Sequence, residues 1–289
     1  MWRQCWRQLR SHSLSTSKEL KSLELAAISI VAEADLEIKT SLAHKTAKAW
    51  FQRSLSLTYG VQPALPKRPG RPQKPDLISP REMPKRSIGG EKGRLALVHS
   101  LAHIELNAID LAWDLVARCA RLPMPRAFFD NWVQVGLEEA KHFSLLAERL
   151  TQMGSFYGAL PAHDGFWQAA EETDHNLVAR LAIIPLVLEA RGLDITPPML
   201  DKIRAEKDDK TAAILEIIYR DEKRHVAFGT KWFLFACARH GLKPEPTFHD
   251  MVRRHFKGSL RPPFNDKARS QAGLTPGFYK PLAGITAIN

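Results

Sequence analysis

The chain carries two Glu-x-x-His pairs, Glu139-Ala-Lys-His142 and Glu222-Lys-Arg-His225, and each follows a lone Glu at a matched distance. Glu105 precedes Glu139 by 34 residues and Glu189 precedes Glu222 by 33. The two halves are offset by 84, 83 and 83 residues at the lone Glu, the paired Glu and the His. On a helix, positions i and i+3 project side by side one turn apart. Such a pair therefore offers one metal a carboxylate oxygen and an imidazole nitrogen. Four carboxylates and two imidazoles spread over four helices must face a common interior. The pattern predicts an all-α four-helix bundle with a long crossover and two metal ions at its centre.

Each ligand interrupts an apolar stripe of helical period. The stripes read Val98, Leu101, Glu105, Ile109; then Val135, Glu139, His142, Leu146; then Ala182, Pro185, Leu186, Glu189; then Ile218, Glu222, His225, Gly229. A lone buried carboxylate is strongly disfavoured. Four converging ones would take up protons unless metal ions held them ionised. A single Glu-x-x-His is usually a pair of exposed neighbours, and the matched repetition is what separates these from that default. The expected ligands are Glu105, Glu139, His142, Glu189, Glu222 and His225. Carboxylate-rich, thiolate-free ligation favours iron, or a manganese–iron pair, over zinc or copper(I).

Other polar residues lie near the ligands. Glu138 and Asp221 each directly precede a ligand Glu, where a carboxylate can hydrogen-bond a ligand His of a neighbouring helix; the competing reading is an exposed helix charge. Tyr219 lies one turn before Glu222, as a redox or hydrogen-bonding residue or as ordinary core. His103, Asn107, Asp110 and Asp114 form a second polar stripe, expected to face another helix or the linker. His99 reads as a partner-bonded helix histidine. His163-Asp164, in the crossover, would line an entrance or lie on the surface. Pro185, four residues before Glu189, should kink or widen its helix.

The chain divides into an extension at 1–17, two helices within 18–59, a Pro/Arg-rich linker at 60–90, the bundle at 91–241, and a C-terminal helix and tail at 242–289. The bundle helices are expected at Glu91–Arg121, Arg126–Met153, Phe166–Arg191 and Asp208–His240. Gly154, Gly192 and Gly241 act as stops. Thr196-Pro197-Pro198 reads as the start of a short helix, and a last helix is expected at Pro246–Phe256. Residues 257–289, interrupted by Pro262, Pro263, Pro276 and Pro281, read as an extended tail laid on the surface.

Net charge is +11. Residues 1–100 hold 18 Lys/Arg against 8 Asp/Glu, and residues 101–289 hold 24 against 23, so the excess belongs to the N-terminal third. A basic segment at 66–94 suits an acidic partner, and RNA is one version of that idea; a solvated linker is the plainer reading. No run of about 18 apolar residues predicts a membrane span. The three cysteines, Cys5, Cys119 and Cys237, lack paired spacing. They suggest a reducing, cytoplasmic setting. The first 17 residues, basic and free of Asp and Glu, have the composition of an organellar transit peptide, which makes a mitochondrial or other matrix the alternative.

With these residues in view, the chain resembles ferritin-like di-iron carboxylate proteins. More narrowly, it is similar to a ferritin-like family known under a domain-of-unknown-function label. The matching stretches are Ala102–Asp110, Glu138–His142, Pro161–Gly165, Leu188–Asp194 and Arg220–Ala227, with Pro263-Phe-Asn265 in the tail. The resemblance covers roughly residues 20–275 and implies the bundle and the six ligands. The wider superfamily includes a tRNA-modifying hydroxylase, hydrocarbon monooxygenases, quinone hydroxylases and iron-storage ferritins, so kinship alone selects no reaction. The leading expectation is an oxidoreductase that uses dioxygen on an organic, anionic substrate, with electrons from an external donor. An iron-handling ferroxidase or storage protein and a metal-stabilised scaffold are the alternatives.

Overall fold

The computed structural model describes residues 21–84 and 89–284. The expected extension at 1–17, with Cys5, lies outside the described residues. Among these residues the secondary structure is helical, joined by irregular segments and isolated bridges such as Leu77–Ala162.

Two N-terminal helices, α1 (Leu23–Ala32) and α2 (Leu36–Phe51), begin where short polar side chains cap them. Ser22 accepts from the amide of Leu25, and Asp35 from those of Glu37 and Ile38. Such caps satisfy amides that have no partner within the helix. Helix α1 packs on α3 (Gly90–Cys119), and α2 packs on α4 (Arg126–Gln152). Polar clamps fix this docking. Arg121 makes a two-pronged pair with Glu24 at 2.7 and 2.8 Å. Trp50 donates to Asp130 at 2.8 Å.

Helices α3 and α4 form the first hairpin of the bundle. Gly154, at φ +74, closes α4, a left-handed conformation that glycine adopts without penalty. The crossover holds α5 (Gly165–Glu172). The second hairpin pairs α6 (Leu177–Ile183), a π-helical segment (Ile184–Glu189) and α7 (Ala190–Ala205) with α8 (Asp209–Arg239). Helix α9 (Pro244–His255) packs on α6 and α8. Helix α3 is the one described helix long and apolar enough to match a membrane span, and most of its apolar stretch is buried within the protein. Its apolar character is explained by its place between α1, α4 and α5.

The third bundle helix departs from expectation at both ends. It is broken after α5, and Asn176 restarts it by accepting from Ala179. It then runs straight past Gly192 and Pro197-Pro198 to Ala205. A proline removes the N–H that would serve the carbonyl four residues earlier. For Pro197 that carbonyl is Leu193, and Asn265 supplies the missing donor at 3.2 Å. Pro185 likewise has no N–H for the carbonyl of Leu181, and here the helix widens: the amide of Ala190 reaches back five residues to the carbonyl of Pro185, in the π segment. Gly229 on α8 makes room for the ring of Pro185, which a Cβ at 229 would strike.

The tail also differs from the extended surface strand expected. It forms α10 (Asp266–Gln271) and α11 (Pro276–Tyr279), and buries Arg269, Leu274 and Tyr279. One apolar core runs from Leu23 through the bundle to Leu282.

Candidate metal centre

Four helical segments deliver the six expected ligands to one place in this core. Helix α3 supplies Glu105, α4 supplies Glu139 and His142, the end of the π segment supplies Glu189, and α8 supplies Glu222 and His225. Glu139, His142 and His225 are wholly inaccessible, and Glu105 and Glu222 are buried. Ligand atoms of Glu105, Glu139, His142 and Glu222 all lie within 4.8 Å of one another. His142 Nδ1 is 3.3 Å from Glu105 Oε2 and 3.3 Å from Glu139 Oε2. His225 Nδ1 lies 2.9 Å from Glu139 Oε1 and 3.4 Å from Glu222 Oε1. Glu139 therefore stands between the two imidazoles, one oxygen toward each. Glu189 shares a cavity wall with Glu105, Glu139 and Glu222.

The outer nitrogen of each imidazole is held by a carboxylate from the facing helix. His142 Nε2 is 3.1 Å from Asp221 Oδ2, and His225 Nε2 is 2.8 Å from Glu138 Oε2. A proton on each Nε2 leaves Nδ1 with a bare lone pair aimed at the cluster, the tautomer a metal ligand needs. Asp221 and Glu138 thus make the contacts with a histidine of the neighbouring helix that their sequence positions suggested. Both are backed by cations at the surface. Lys141 bonds Asp221 at 2.9 Å, and Arg224 contacts both Asp221 and Glu138.

The donor set fits metal ions. Glu139 Oε1, Glu189 Oε2 and His225 Nδ1 are buried without any hydrogen-bond partner, although Glu139 Oε1 and His225 Nδ1 are close. Buried polar atoms left in this way are costly, and a cation between them satisfies all three. Charge points the same way. Burial and neighbouring Glu139 push the Glu105 carboxyl well above its usual range, and burial and Glu222 do so for Glu189. Burial and Glu139 also raise Glu222. Burial pulls His142 and His225 down, but the surrounding carboxylates outweigh it and raise both. Glu139 is held low against the pull of burial, chiefly by His225 and His142. Protons would thus have to settle a metal-free cluster, a task that a bound cation would take over.

The remaining candidates serve elsewhere. Tyr219 is half-buried, and its hydroxyl accepts from Asn265 at 3.1 Å rather than from any ligand. The second stripe of α3 faces the linker and other helices, as expected. Asp110 pairs with Lys39 and, at 2.8 Å, with Arg71. Asp114 pairs with Arg180 at 2.7 Å. Asp164 pairs with Arg68, and neither it nor His163 lines the cavity beside the ligands. Among the described residues of 60–94, none lines that cavity either. Arg68, Arg71 and Arg94 are instead paired with acidic groups of the helices.

Sequence reading missed the other side of the cavity. A space of about 310 Å³ opens beside the carboxylates, with Leu101, Ile104, Val187, Leu215, Ile218 and Phe256 among its apolar walls. The tail contributes Arg261, Phe264 and Arg269, and α7 contributes Arg191. The available signal was Pro263-Phe-Asn265: Asn265 bonds Leu193, Asp194 and Tyr219, and so ties the tail to α7 and α8.

No solved structure matches. A protein of Haemophilus influenzae, described as an uncharacterized protein, is 41% identical over 213 residues, which is 71% of this chain and 73% of that one. Residues 32–280 match the family described as "Protein of unknown function (DUF455)", and the chain, matched over most of its length, belongs to that family.

Proposed function

We propose that this protein is a dinuclear-metal oxidoreductase, di-iron or manganese–iron, that uses dioxygen to hydroxylate or oxidise an organic substrate. The resemblance to ferritin-like carboxylate proteins supports the reading. The observation that carries it is the apolar cavity whose floor is formed by Glu105, Glu139, Glu189 and Glu222. A buried metal site with a purely structural task needs no such opening, whereas a reactive centre needs a dry space for an organic molecule.

Glu105, Glu139, His142, Glu189, Glu222 and His225 would hold the ions. When bound, the ions supply electrons to dioxygen and Lewis acidity. The protein's own residues do the rest. Asp221 and Glu138 hold the Nε2 protons, and so keep both Nδ1 atoms ready as ligands. Glu189 closes the π segment with Oε2 unpartnered, and is the carboxylate least restrained by hydrogen bonds. The apolar walls exclude bulk water and position the substrate above the carboxylates. The sequence holds no flavin, nicotinamide or cysteine-cluster motif, so the reducing electrons come from a separate donor protein.

The test is the metal content of protein purified without added metal, followed by optical spectra on anaerobic reduction and on reoxidation in air. About two iron, or one manganese and one iron, per chain with an oxygen-dependent spectral change is expected, two ions being what this ligand pattern holds. Zinc alone, or no response after iron loading, overturns the reading. Iron uptake far beyond that ratio would indicate storage.

A further inference from the structure

The cavity is polarised. Its buried face carries the four glutamates, and these are its only acidic lining residues among the described residues. Its other charged lining residues are Arg191, Arg261 and Arg269. The Arg261 side chain is exposed, its guanidinium bonds Ser259, and it has no acidic partner among the described residues. Arg191 is 39% exposed; one of its nitrogens bonds Asp194 and the carbonyls of Arg261 and Pro263, and the rest of its guanidinium is uncommitted. Arg269 is buried at 1% exposure and pairs with Asp194 through Nε and Nη2, while its Nη1 is buried without any partner. Asp194 pairs with Arg191 and Arg269, Asp266 acts on Arg269 from further off and is itself paired with Lys280, and Arg261 adds an uncompensated charge, so the arginine side keeps a net positive charge. A buried guanidinium N–H with nothing to donate to is rare in a folded chain, and an oxygen of a ligand would satisfy it.

We propose that this cavity takes an amphipathic organic anion, such as a carboxylate or phosphate monoester on an apolar body. Its head group lies between Arg191 and Arg261 with an oxygen toward Arg269 Nη1. Its apolar body lies along Ile104, Leu215, Ile218 and Phe256 toward the glutamates. Guanidinium suits such head groups because its planar donors match carboxylate and phosphate oxygens. The volume, about 310 Å³, admits a short chain or a single ring system. The inference rests on the oxidoreductase reading only in making the buried end of the ligand the reacting end; the binding itself does not depend on it.

The experiment is calorimetric titration of octanoate, 1-octanol and octyltrimethylammonium into the zinc-loaded full chain, in which the cluster is filled by a redox-inert ion. Octanoate is expected to bind at least about tenfold more tightly than octyltrimethylammonium, the gain of a charge-assisted contact over a like-charge one. Arg261→Gln and Arg191→Gln should each weaken octanoate about fivefold or more and leave 1-octanol unchanged. Ile218→Trp, which fills the cavity, should abolish both. Arg261→Gln removes only a bond to Ser259, so loss of fold does not confuse that arm. Equal octanoate binding by wild type and both arginine variants would place the head group on the metal ions and overturn the proposal. So would equal affinity for the cationic ligand, or no octanoate binding by folded protein. Because zinc performs no oxygen chemistry, failure of the oxidoreductase reading leaves this result untouched, and an oxygen-responsive iron protein that ignores octanoate would sink this proposal alone.

Discussion

His142 Nε2 lies 3.1 Å from Asp221 Oδ2, a contact between α4 and α8 that fixes which face of the imidazole meets the cluster. Its counterpart runs the other way, from His225 on α8 to Glu138 on α4, at 2.8 Å. The two hairpins thus orient each other's imidazoles. Asp221→Asn keeps an acceptor oxygen but loses the charge that favours a proton on Nε2. Metal affinity should fall about 10–100-fold, the usual effect of removing such a partner. Competition with a chelator checks this, with circular dichroism confirming an intact helical fold. An unchanged affinity would mean that the contact does not set the tautomer.

Gly229→Ala tests the π segment. A Cβ there runs into the ring of Pro185, four residues before Glu189. The bundle cannot open at this point without shifting the segment that delivers Glu189. Overpacking of this kind costs about 1–3 kcal/mol. Thermal unfolding should register the loss, and metal stoichiometry should fall with it. A variant that is destabilised yet binds metal normally would uncouple Glu189 from the segment's geometry.

These two contacts also show where sequence reading succeeds and where it stops. The six clustered residues were legible because each carboxylate interrupts an apolar stripe, a conflict that burial alone cannot resolve. Glu138 and Asp221 were legible as neighbours of ligands. The passage of α7 through Pro197 was not. Its freed carbonyl, on Leu193, is served by Asn265 from 72 residues away, and nothing local announces that donor. The cavity was hidden for the same reason. Prolines at 262, 263, 276 and 281 argue for an extended tail, and only the fold reveals that Arg269 is buried against Asp194.

His103 gives a pH dependence distinct from that of the metal. Burial lowers its pKa to about 4 from the ordinary 6.5. Its Nδ1 lies 2.8 Å from the Tyr157 hydroxyl and its Nε2 3.0 Å from the carbonyl of His163. The folded state therefore keeps the ring neutral where the unfolded chain would protonate it. Between pH 6.5 and 4 the unfolded state binds more protons, so stability falls as pH falls through that window and is fully present above it. The ceiling is about 3 kcal/mol, from roughly 1.4 kcal/mol per pH unit. His103→Gln should flatten the acid limb of the stability curve of the metal-loaded protein, measured by denaturant unfolding across pH 4–8. Parallel curves for wild type and variant would remove His103 as the cause.

Asp194 joins the tail to the cavity wall. It takes Arg269 at 2.8 and 2.7 Å and the amide of Asn265 at 2.9 Å, all at the point where the tail crosses α7. Asp194→Ala leaves the Arg269 guanidinium buried and uncompensated, which costs about 3–5 kcal/mol for a pair of this kind. A chain of this size loses about 2–4 °C of Tm per kcal/mol. Arg269→Met should cost less, because Asp194 keeps Arg191 at 3.2 Å and the Asn265 amide. Combining the two should be milder than their sum, since the orphaned charge left by Asp194→Ala is then gone. Thermal unfolding of the three variants decides the matter. Additive losses would show that the two side chains stabilise the tail independently and that the pair is not the joint.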